Sequence, residues 1–461
     1  MRASTPAWVR DAICWQVYPL GFCGAPRRRE DLVGQSYGEG AGENVVHRLG
    51  RLMGWLDHLV SLGANVLILN PIADSVSHGY DTLDHQRVDP RLGDQHDFQA
   101  LVTACHERGI RIVLDGVFNH VSEHHAVARA AVAAGPGTVE GGRIRWAGEH
   151  PYGFEGNADL VEMDLADEGV QEAVLEVMSS WLQRGADGWR LDAMYAAGPQ
   201  AWAPILARLR DRHPEAWILG EVIHGDYPAF AAASGADSVT QYELWKGIWS
   251  SLHDHNLFEL AHALGRHQAF REQAGGRFPL IFLGNHDTTR IASQLPDSRD
   301  LAAAICLLAL LPGIPAVYAG DELGAVGVKE QRAGGDDAVR PVFPDDPADA
   351  PTTLALLKEA AAPRILEAHR RMLALRRREP WLADARIEVR EETLTSTYAE
   401  IVLSPSARLP IPPLTLALNL GEEDAPAAGE VVEVLSGAAI IDGLPAPAPG
   451  TVPAHGAAVL R

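Results

Sequence analysis

Short apolar runs alternate with amphipathic segments along most of the chain, and this alternation restricts the folds it can adopt. Each run ends in polar residues and is followed by a helical pattern such as DFQALVTACHERG (97–109), for which Asp97 is the expected N-cap. Eight runs predict eight strands: ICWQVYP (13–19), ANVLILNPI (64–72), RIVLDGVFNH (111–120), DGWRLD (187–192), WILGEV (217–222), SVTQYEL (238–244), LIFLGNHD (280–287) and GIPAVYAGDE (313–322). Strands joined by helices in this way predict an α/β fold with a parallel sheet.

The distances between the strand ends agree with the repeat of a (β/α)8 barrel. A barrel of about 250 residues uses about 31 residues for each unit. Asp192 and Glu221 are 29 residues apart, and Asp287 and Tyr318 are 31 apart. The 66 residues between Glu221 and Asp287 fit two units, whereas the 77 between Asp115 and Asp192 exceed one unit. The sequence therefore predicts a TIM barrel with extra residues after the third strand.

The extra residues predict a small inserted domain over residues 121–164, which are rich in glycine and lack clear periodicity. After the barrel, short alternating runs separated by proline and glycine predict an antiparallel β-domain, of the sandwich type, over residues 386–461. The barrel is then assigned to residues 1–120 and 165–385.

Composition limits the classes of partner. A formal net charge of −22 argues against a nucleic-acid partner, because phosphate binding uses clustered Lys and Arg. The longest apolar stretch, LAAAICLLALLPGIPAVYAG (301–320), is interrupted by proline after about a dozen residues, too few for a membrane span. The N-terminus lacks a secretory h-region, and the four cysteines show neither metal-binding nor disulfide spacing. We therefore expect a cytoplasmic protein without nucleic-acid or membrane partners.

Polar residues stand where several predicted strands end, and in a barrel of this kind the strand ends form the active-site rim. Because side chains alternate along a strand, Arg190 and Asp192 should point the same way. A buried cation beside a carboxylate is either a structural ion pair or part of a reactive site. Other strand ends carry Asp115 and His120, Glu221, and His286 and Asp287. Their occurrence at one rim favours an active site over separate structural roles.

Four motifs resemble, in order, the signature regions of the alpha-amylase family of retaining glycoside hydrolases: DGVFNH (115–120), GWRLD (188–192), GEV (220–222) and GNHD (284–287). The resemblance also includes ICWQVYPLGF, HGYDTLDHQRVDPRLGD and GIPAVYAGDELG, and covers residues 8–345. It implies that Asp192 is the nucleophile, that Glu221 is the general acid and base, and that Asp287 is a third carboxylate that holds sugar hydroxyls. Retaining cleavage needs a carboxylate nucleophile and a second carboxyl about 5–5.5 Å away.

The same resemblance implies a set of substrate-binding residues: Tyr80, His78, Asp115, His120, Arg190 and His286. Tyr80 would stack on a sugar ring, the histidines would bind its hydroxyls, and Asp115 would position the site. The chemistry adds two expectations. Arg190 should hold the pKa of Asp192 below its usual range, and Glu221 must carry a proton near neutrality to act as an acid.

The sequence departs from two subtypes of the family. Starch-cleaving members follow the nucleophile with a Lys-His pair, whereas this chain continues with Ala193, Met194 and Tyr195. Oligosaccharide α-glucosidases carry an aspartate three residues before the stacking tyrosine, where this chain has Ser77. The linkage and the chain length of the substrate therefore stay open.

The resemblance also raises the question of a metal. Asn119 matches a calcium ligand of many family members, and calcium prefers oxygen ligands. However, the insertion offers no evident carboxylate cluster, the loop 21–44 lacks a D-x-[DN]-x-D-G pattern, and the histidine position after the fourth strand is altered. We therefore predict no cofactor, with calcium as the alternative.

The predicted activity is that of a retaining glycosidase that cleaves α-glucosidic bonds of short α-glucosides or maltooligosaccharides. A transglycosidase that passes the same glycosyl-aspartate intermediate to a sugar hydroxyl is the alternative, and the motifs do not separate the two. A non-catalytic binding subunit with this fold is a third hypothesis, which the three acidic residues disfavour. In each case the expected partner is a small oligosaccharide.

Overall fold

The structure, a computed structural model, describes residues 5–31, 45–332, 334–405, 410–445 and 448–461. Two segments used in the sequence analysis lie partly outside the described residues. They are the N-terminus, where residues 1–4 are not described, and the loop 21–44, which was searched for a calcium-binding pattern. Eight strands form one sheet: β1 (Cys14–Val17), β2 (Val66–Leu69), β3 (Arg111–Gly116), β4 (Gly188–Leu191), β5 (Trp217–Gly220), β6 (Ser238–Val239), β7 (Leu280–Phe282) and β8 (Ile314–Tyr318).

The eight strands close into a barrel. They follow the order β6–β5–β4–β3–β2–β1–β8–β7, and neighbouring strands are parallel. Thr240, just after β6, pairs in parallel with Leu280 of β7, and the N–H of Gln241 donates to the carbonyl of Leu280 at 2.9 Å. These contacts join the two ends of the sheet. The predicted barrel is confirmed, with each strand at its predicted position.

Alternate residues of the strands fill the barrel interior, as the period of two requires. The residues that pack there include Cys14, Val66, Ile68, Val113, Trp217, Leu219, Leu280, Phe282, Ile314 and Ala316. On β4, Trp189 points outward to the helices, where its Nε1–H donates to the carbonyl of Met178 at 3.3 Å. Arg190 points inward and pairs with Asp115 and Asp192, as expected from the strand pattern.

Helices surround the barrel. The longer ones are α1 (Leu56–Leu62), α2 (Gln95–Glu107), α3 (Glu168–Gln183), α4 (Pro199–Arg212), α5 (Tyr227–Ser234), α6 (Tyr242–His253), α7 (Leu257–Gln273), α8 (Leu301–Leu310) and α9 (Ala362–Arg378). Short ones are Pro19–Phe22, Gly50–Gly54, Met194–Ala197, Ile291–Gln294 and Ala350–Thr353.

The N-cap predicted for α2 is wrong. Asp94 caps the helix, because its carboxylate accepts the N–H groups of His96 at 2.7 Å and of Asp97 at 3.2 Å. The Asp97 carboxylate in turn accepts the N–H of Asp94 at 2.8 Å. This reciprocal capping box places Asp97 inside the first turn.

The residues between β3 and α3 form a small unit of their own. It contains the helix Ala126–Ala134, the antiparallel strands His120–Ser122 and Leu160–Glu162, and the hairpin of Trp146–Ala147 with His150–Pro151. Val121, Ala128, Ala131, Ile144 and Val161 form its apolar core. One 3-10 turn, Gly141–Arg143, precedes the hairpin, and another, Phe154–Gly156, follows it.

The C-terminal region is an antiparallel sheet of β9 (Arg386–Val389), β10 (Tyr398–Ser404), β11 (Leu414–Asn419), β12 (Val431–Ser436) and β13 (Gly456–Leu460), in the order β9–β10–β11–β13–β12. A ribbon of Ala425–Pro426 with Thr451–Val452 packs on it. All ten residues of α8 are buried, and this helix contacts both α9 and the C-terminal sheet. Of the helices in the described ranges, none has the length and apolar character needed to cross a bilayer.

A buried carboxylate joins the barrel to the C-terminal sheet. Asp300, just before α8, lies 2.7 Å from Nε2 of His255, between α6 and α7, and 2.8 Å from Nδ1 of His455, just before β13. We expect Asp300→Asn to lower the free energy of unfolding by about 1.5–3 kcal/mol, because hydrogen bonds to a buried charge are lost. Thermal unfolding measures this, with the exposed Asp254→Asn as control. Equal stability of the two variants would contradict the prediction.

Candidate active site

The predicted site residues lie at the C-terminal ends of the barrel strands, and the structure brings most of them into one cluster. Its members are Tyr80, Asp115, Arg190, Asp192, Glu221, His286 and Asp287. His120 lies at the same rim, and His78 lies at its edge, where its side chain is 44% exposed. The polar ends of separate strands thus converge, as the barrel topology predicts.

Arg190 contacts three carboxylates at once. Its Nη1 lies 2.7 and 2.6 Å from the two oxygens of Asp115 and 3.0 Å from Oδ1 of Asp192. Its Nη2 lies 2.6 Å from Oε1 of Glu221. The arginine is 3% exposed, so these are buried ion pairs that fix the carboxylates relative to one another.

Glu221 is held by three groups from neighbouring strands. Oε1 accepts hydrogen bonds from Arg190 and, at 3.0 Å, from the hydroxyl of Tyr242, which follows β6. Oε2 accepts the N–H of Ala193 at 3.0 Å. Asn285 donates to the Tyr242 hydroxyl oxygen at 2.9 Å, which leaves the hydroxyl hydrogen for Glu221. The carboxyl orientation is therefore fixed before a ligand arrives.

Asp287 is paired on both sides. Oδ1 lies 2.8 Å from Nη2 of Arg340, and Oδ2 lies 2.9 Å from Nε2 of His286. Burial alone would raise the pKa of Asp287, but His286 and Arg340 outweigh it and hold the pKa well below its usual range. His286 and Arg340 therefore keep Asp287 in its anionic form.

Tyr80 and His286 form one face of the site. Their rings stack with centroids 5.4 Å apart, the Tyr80 hydroxyl contacts Nε2 of His286, and it donates to Asp115 at 3.0 Å. Asn70 donates to the same Asp115 oxygen at 2.9 Å. Asp115 is thus bonded to the arginine, to the tyrosine and to the amide, which fits a positioning residue.

The two histidines outside this face differ. His120 is 2% exposed, stacks on Phe154 of the insertion at 4.3 Å between centroids, and has its pKa lowered by burial to about 4, so its ring is neutral. His78 accepts, through its backbone carbonyl, the hydroxyl of Tyr18 at 2.9 Å, and its ring lies 3.8 Å from Asp81. His78 is therefore placed beside the cleft, not at its base.

The expectation for the pKa of Asp192 is wrong in its net direction. Burial raises this pKa, and the charge of Glu221 raises it further, so that the pKa lies above its usual range although Arg190 opposes both. The residues next to Asp192 in the sequence include Arg190, but they do not show that Asp192 is buried or that Glu221 lies beside it. The contribution of Arg190 has the expected sign but is too small to prevail.

Pattern reading missed several residues that shape the site. Tyr242 lies within the predicted strand 238–244 but begins helix α6 in the structure. Arg340 lies in a long loop rich in Pro and Gly, whose position no periodicity predicts. Arg340 also lies over the ring of Tyr18, 4.6 Å from its centroid. Asn285 donates to the Tyr242 hydroxyl and accepts the N–H of Asp287, each at 2.9 Å.

Two open pockets adjoin the cluster. One, of about 340 Å³, is lined by Tyr18, His78, Asp336 and Arg340, among others. The other, of about 440 Å³, lies between Ser77, His78 and the insertion. Both are open to solvent and include polar side chains in their lining, such as Asp336 and Arg340 in the first and Ser77 in the second, which suits hydroxyl-rich ligands.

Potential metal ligands gather away from this cluster. Within the described ranges, two groups of three such side chains come within 4.8 Å: His255, Asp300 and His455, and His47, Asp94 and Asp97. Asn119, the residue that resembles a calcium ligand, accepts the N–H of Met163 through its carbonyl at 2.9 Å.

Comparison with known families and proteins agrees with this geometry. The alpha-amylase family, described as alpha amylase catalytic domain, matches residues 18–140 and 145–351. A cyclomaltodextrinase from a Bacillus species is 29% identical over 348 residues, which cover 70% of this chain and 61% of that protein. An intracellular maltogenic amylase from Bacillus subtilis is 27% identical over 342 residues, with coverages of 70% and 57%. The matched part of the chain thus spans less than two thirds of these relatives.

Solved structures match along nearly the whole chain. The ligand-free cyclic alpha-maltosyl-(1→6)-maltose hydrolase from Arthrobacter globiformis is 25% identical, with a TM-score of 0.76 and coverage of 99% of each chain. The acarbose-soaked debranching enzyme from Nostoc punctiforme is also 25% identical, with a TM-score of 0.75 and the same coverages. Because the family match extends over more than half of its length, this chain belongs to the alpha-amylase family.

Proposed function

We propose that this protein is a retaining glycosidase that cleaves α-glucosidic bonds of short α-glucosides or maltooligosaccharides. One observation carries the proposal: the guanidinium of Arg190 holds Asp192 and Glu221 beside each other, and the charge of Asp287 is close enough to act on Asp192. A binding protein would not need three convergent carboxylates around one buried cation. The names of the relatives, cyclomaltodextrinase and maltogenic amylase, agree with this class of substrate.

In the first step Asp192 attacks the anomeric carbon while Glu221 donates its proton to the glycosidic oxygen. The bond between that carbon and oxygen breaks, the leaving group departs as an alcohol, and a β-linked glycosyl ester forms on Asp192. Asp287, fixed as an anion by His286 and Arg340, binds the hydroxyls of the same sugar. Its charge favours the oxocarbenium-like transition state.

The nucleophile and the acid contact the same guanidinium. Arg190 lies 3.0 Å from Asp192 and 2.6 Å from Glu221. The first step requires an ionised Asp192 beside a protonated Glu221. A proton on Glu221 removes the repulsion that, after burial, raises the pKa of Asp192 most, and Arg190 opposes what remains.

In the second step Glu221, now a carboxylate, takes a proton from water, and the water oxygen attacks the anomeric carbon. The ester bond to Asp192 breaks and the sugar leaves with its original α configuration. The hydrogen bonds from Tyr242, Arg190 and Ala193 stabilise Glu221 in this ionised state.

We also propose that the protein acts in the cytoplasm and without a resident metal. The relative from Bacillus subtilis is named an intracellular enzyme. The Lys-His pair that follows the nucleophile in starch-cleaving members is absent, since Ala193, Met194 and Tyr195 stand there. The four cysteines are buried and unpaired, as expected for a reducing compartment.

A substrate panel tests the function. Trehalose, sucrose, maltose, isomaltose and maltooligosaccharides are each incubated with the protein, with and without chelator, and read by chromatography and by proton NMR of the first product. We expect new reducing ends from maltooligosaccharides, initially as the α anomer, and no effect of the chelator. A first product in the β configuration would refute the covalent mechanism. New linkages at a constant number of reducing ends would identify a transglycosidase, and binding without turnover would identify a binding subunit.

A further inference from the structure

The 3-10 turn Phe154–Gly156 of the inserted unit lies against the barrel rim. Phe154 stacks on His120 with its ring inclined by only 9°. The next residue, Glu155, accepts a hydrogen bond from the hydroxyl of Tyr195 at 2.8 Å through Oε1. Tyr195 follows β4, so this contact, which we call the Glu155–Tyr195 bridge, crosses from the insertion after β3 to the loop after β4.

The bridge lies on the side of the site where the leaving group must be. The acid Glu221 has to touch the glycosidic oxygen, so the leaving sugar is next to Glu221. The N–H of Tyr195 donates to the backbone carbonyl of Glu221 at 3.3 Å. The Tyr195 ring also meets the ring of His224, three residues after Glu221, with centroids 5.6 Å apart. Tyr195 is therefore adjacent to the space beyond the scissile bond.

The backbone of the turn is held in a conformation that non-glycine residues rarely adopt. Glu155 has φ 50° and ψ 32°, in the left-handed region. Such a conformation persists when surrounding contacts stabilise it. The stack of Phe154 and the hydrogen bond of Glu155 both hold the turn against the rim.

We propose that the Glu155–Tyr195 bridge closes the leaving-group side of the cleft and makes this enzyme select substrates with short leaving groups. One or two departing sugars would pack against the Tyr195 ring, which offers an aromatic face to their C–H groups. A longer chain would have to pass the bridge and displace it. This inference rests on the proposed function. It adds a statement of which bonds of an oligosaccharide are cut.

Maltoheptaose labelled at its reducing end tests the inference, because the length of the labelled fragment reports which bond is cut. Tyr195→Phe keeps the ring and removes the hydrogen bond, and Glu155→Ala removes the acceptor. Both should move cleavage away from the labelled end. Both should also raise kcat/KM for maltoheptaose relative to maltotriose by about two- to tenfold, the factor expected from one hydrogen bond.

Two further variants separate the bridge from a general effect on the insertion. Glu155→Gln retains an oxygen that accepts the tyrosine hydrogen and should keep the wild-type cleavage position. Glu140→Ala makes the same truncation at an exposed residue elsewhere in the insertion and should also keep it. If Glu155→Ala and Tyr195→Phe cut the same bond with the same substrate ratio as the wild type, the inference is overturned. Failure of the proposed function would look different, since the wild type itself would then cleave no substrate.

Discussion

Asp192→Asn is expected to reduce kcat/KM for maltooligosaccharides by about 10⁴-fold or more, because the amide cannot form the glycosyl ester. The substitution keeps the shape of the side chain and an oxygen that accepts from Arg190. It also removes one of two carboxylates that repel each other in a buried site. We therefore expect the melting temperature to stay close to that of the wild type while turnover is lost.

The matched control is Asp211→Asn, on the exposed side of α4, which should retain full activity. Asp192→Ala adds a positive test, since it opens space where the carboxylate was. With α-maltosyl fluoride and azide, azide should attack from that face, displace fluoride and yield the β-glycosyl azide. Turnover of folded Asp192→Asn within tenfold of the wild type would show that another group is the nucleophile.

Local sequence patterns predict the fold, but they predict only part of the candidate site. All eight strands could be predicted, because each is a short apolar run followed by a helical segment, and even the two-residue β6 falls within its predicted range. The helix start at Asp94 was mispredicted because two aspartates, three residues apart, both fit an N-cap and only the backbone hydrogen bonds select one. Most of the site residues could be predicted because they stand at strand ends, which the barrel brings together.

The parts of the site that could not be predicted depend on contacts between distant segments. The pKa of Asp192 is set by its burial and by Glu221, which belongs to the next strand, more than by the adjacent Arg190. Arg340 reaches Asp287 from a loop without periodicity, and Glu155 reaches Tyr195 from the insertion. Sequence motifs identify the residues expected to react. The residues that hold them in place can be identified only from the folded structure.

Arg190→Leu is expected to eliminate measurable turnover and also to destabilise the protein. The guanidinium is the cation that Asp115, Asp192 and Glu221 have in common. Without it, three carboxyls remain in a buried site, and breaking a buried ion pair from one side costs about 3–5 kcal/mol. The side chain is 3% exposed and has three ionic partners, so a loss of stability is the expected result.

Arg190→Lys separates the two effects. A lysine retains the charge, so the fold should survive, but a single ammonium group cannot hold three carboxylates in the geometry of the planar guanidinium. We expect kcat/KM to fall by about 10²- to 10³-fold, as when one preorganised electrostatic group is removed. Circular dichroism and thermal unfolding establish that each variant is folded before its activity is compared with the wild type. Near-normal turnover in a folded Arg190→Leu protein would mean that Asp192 and Glu221 do not need a shared cation, and the catalytic assignment would then be wrong.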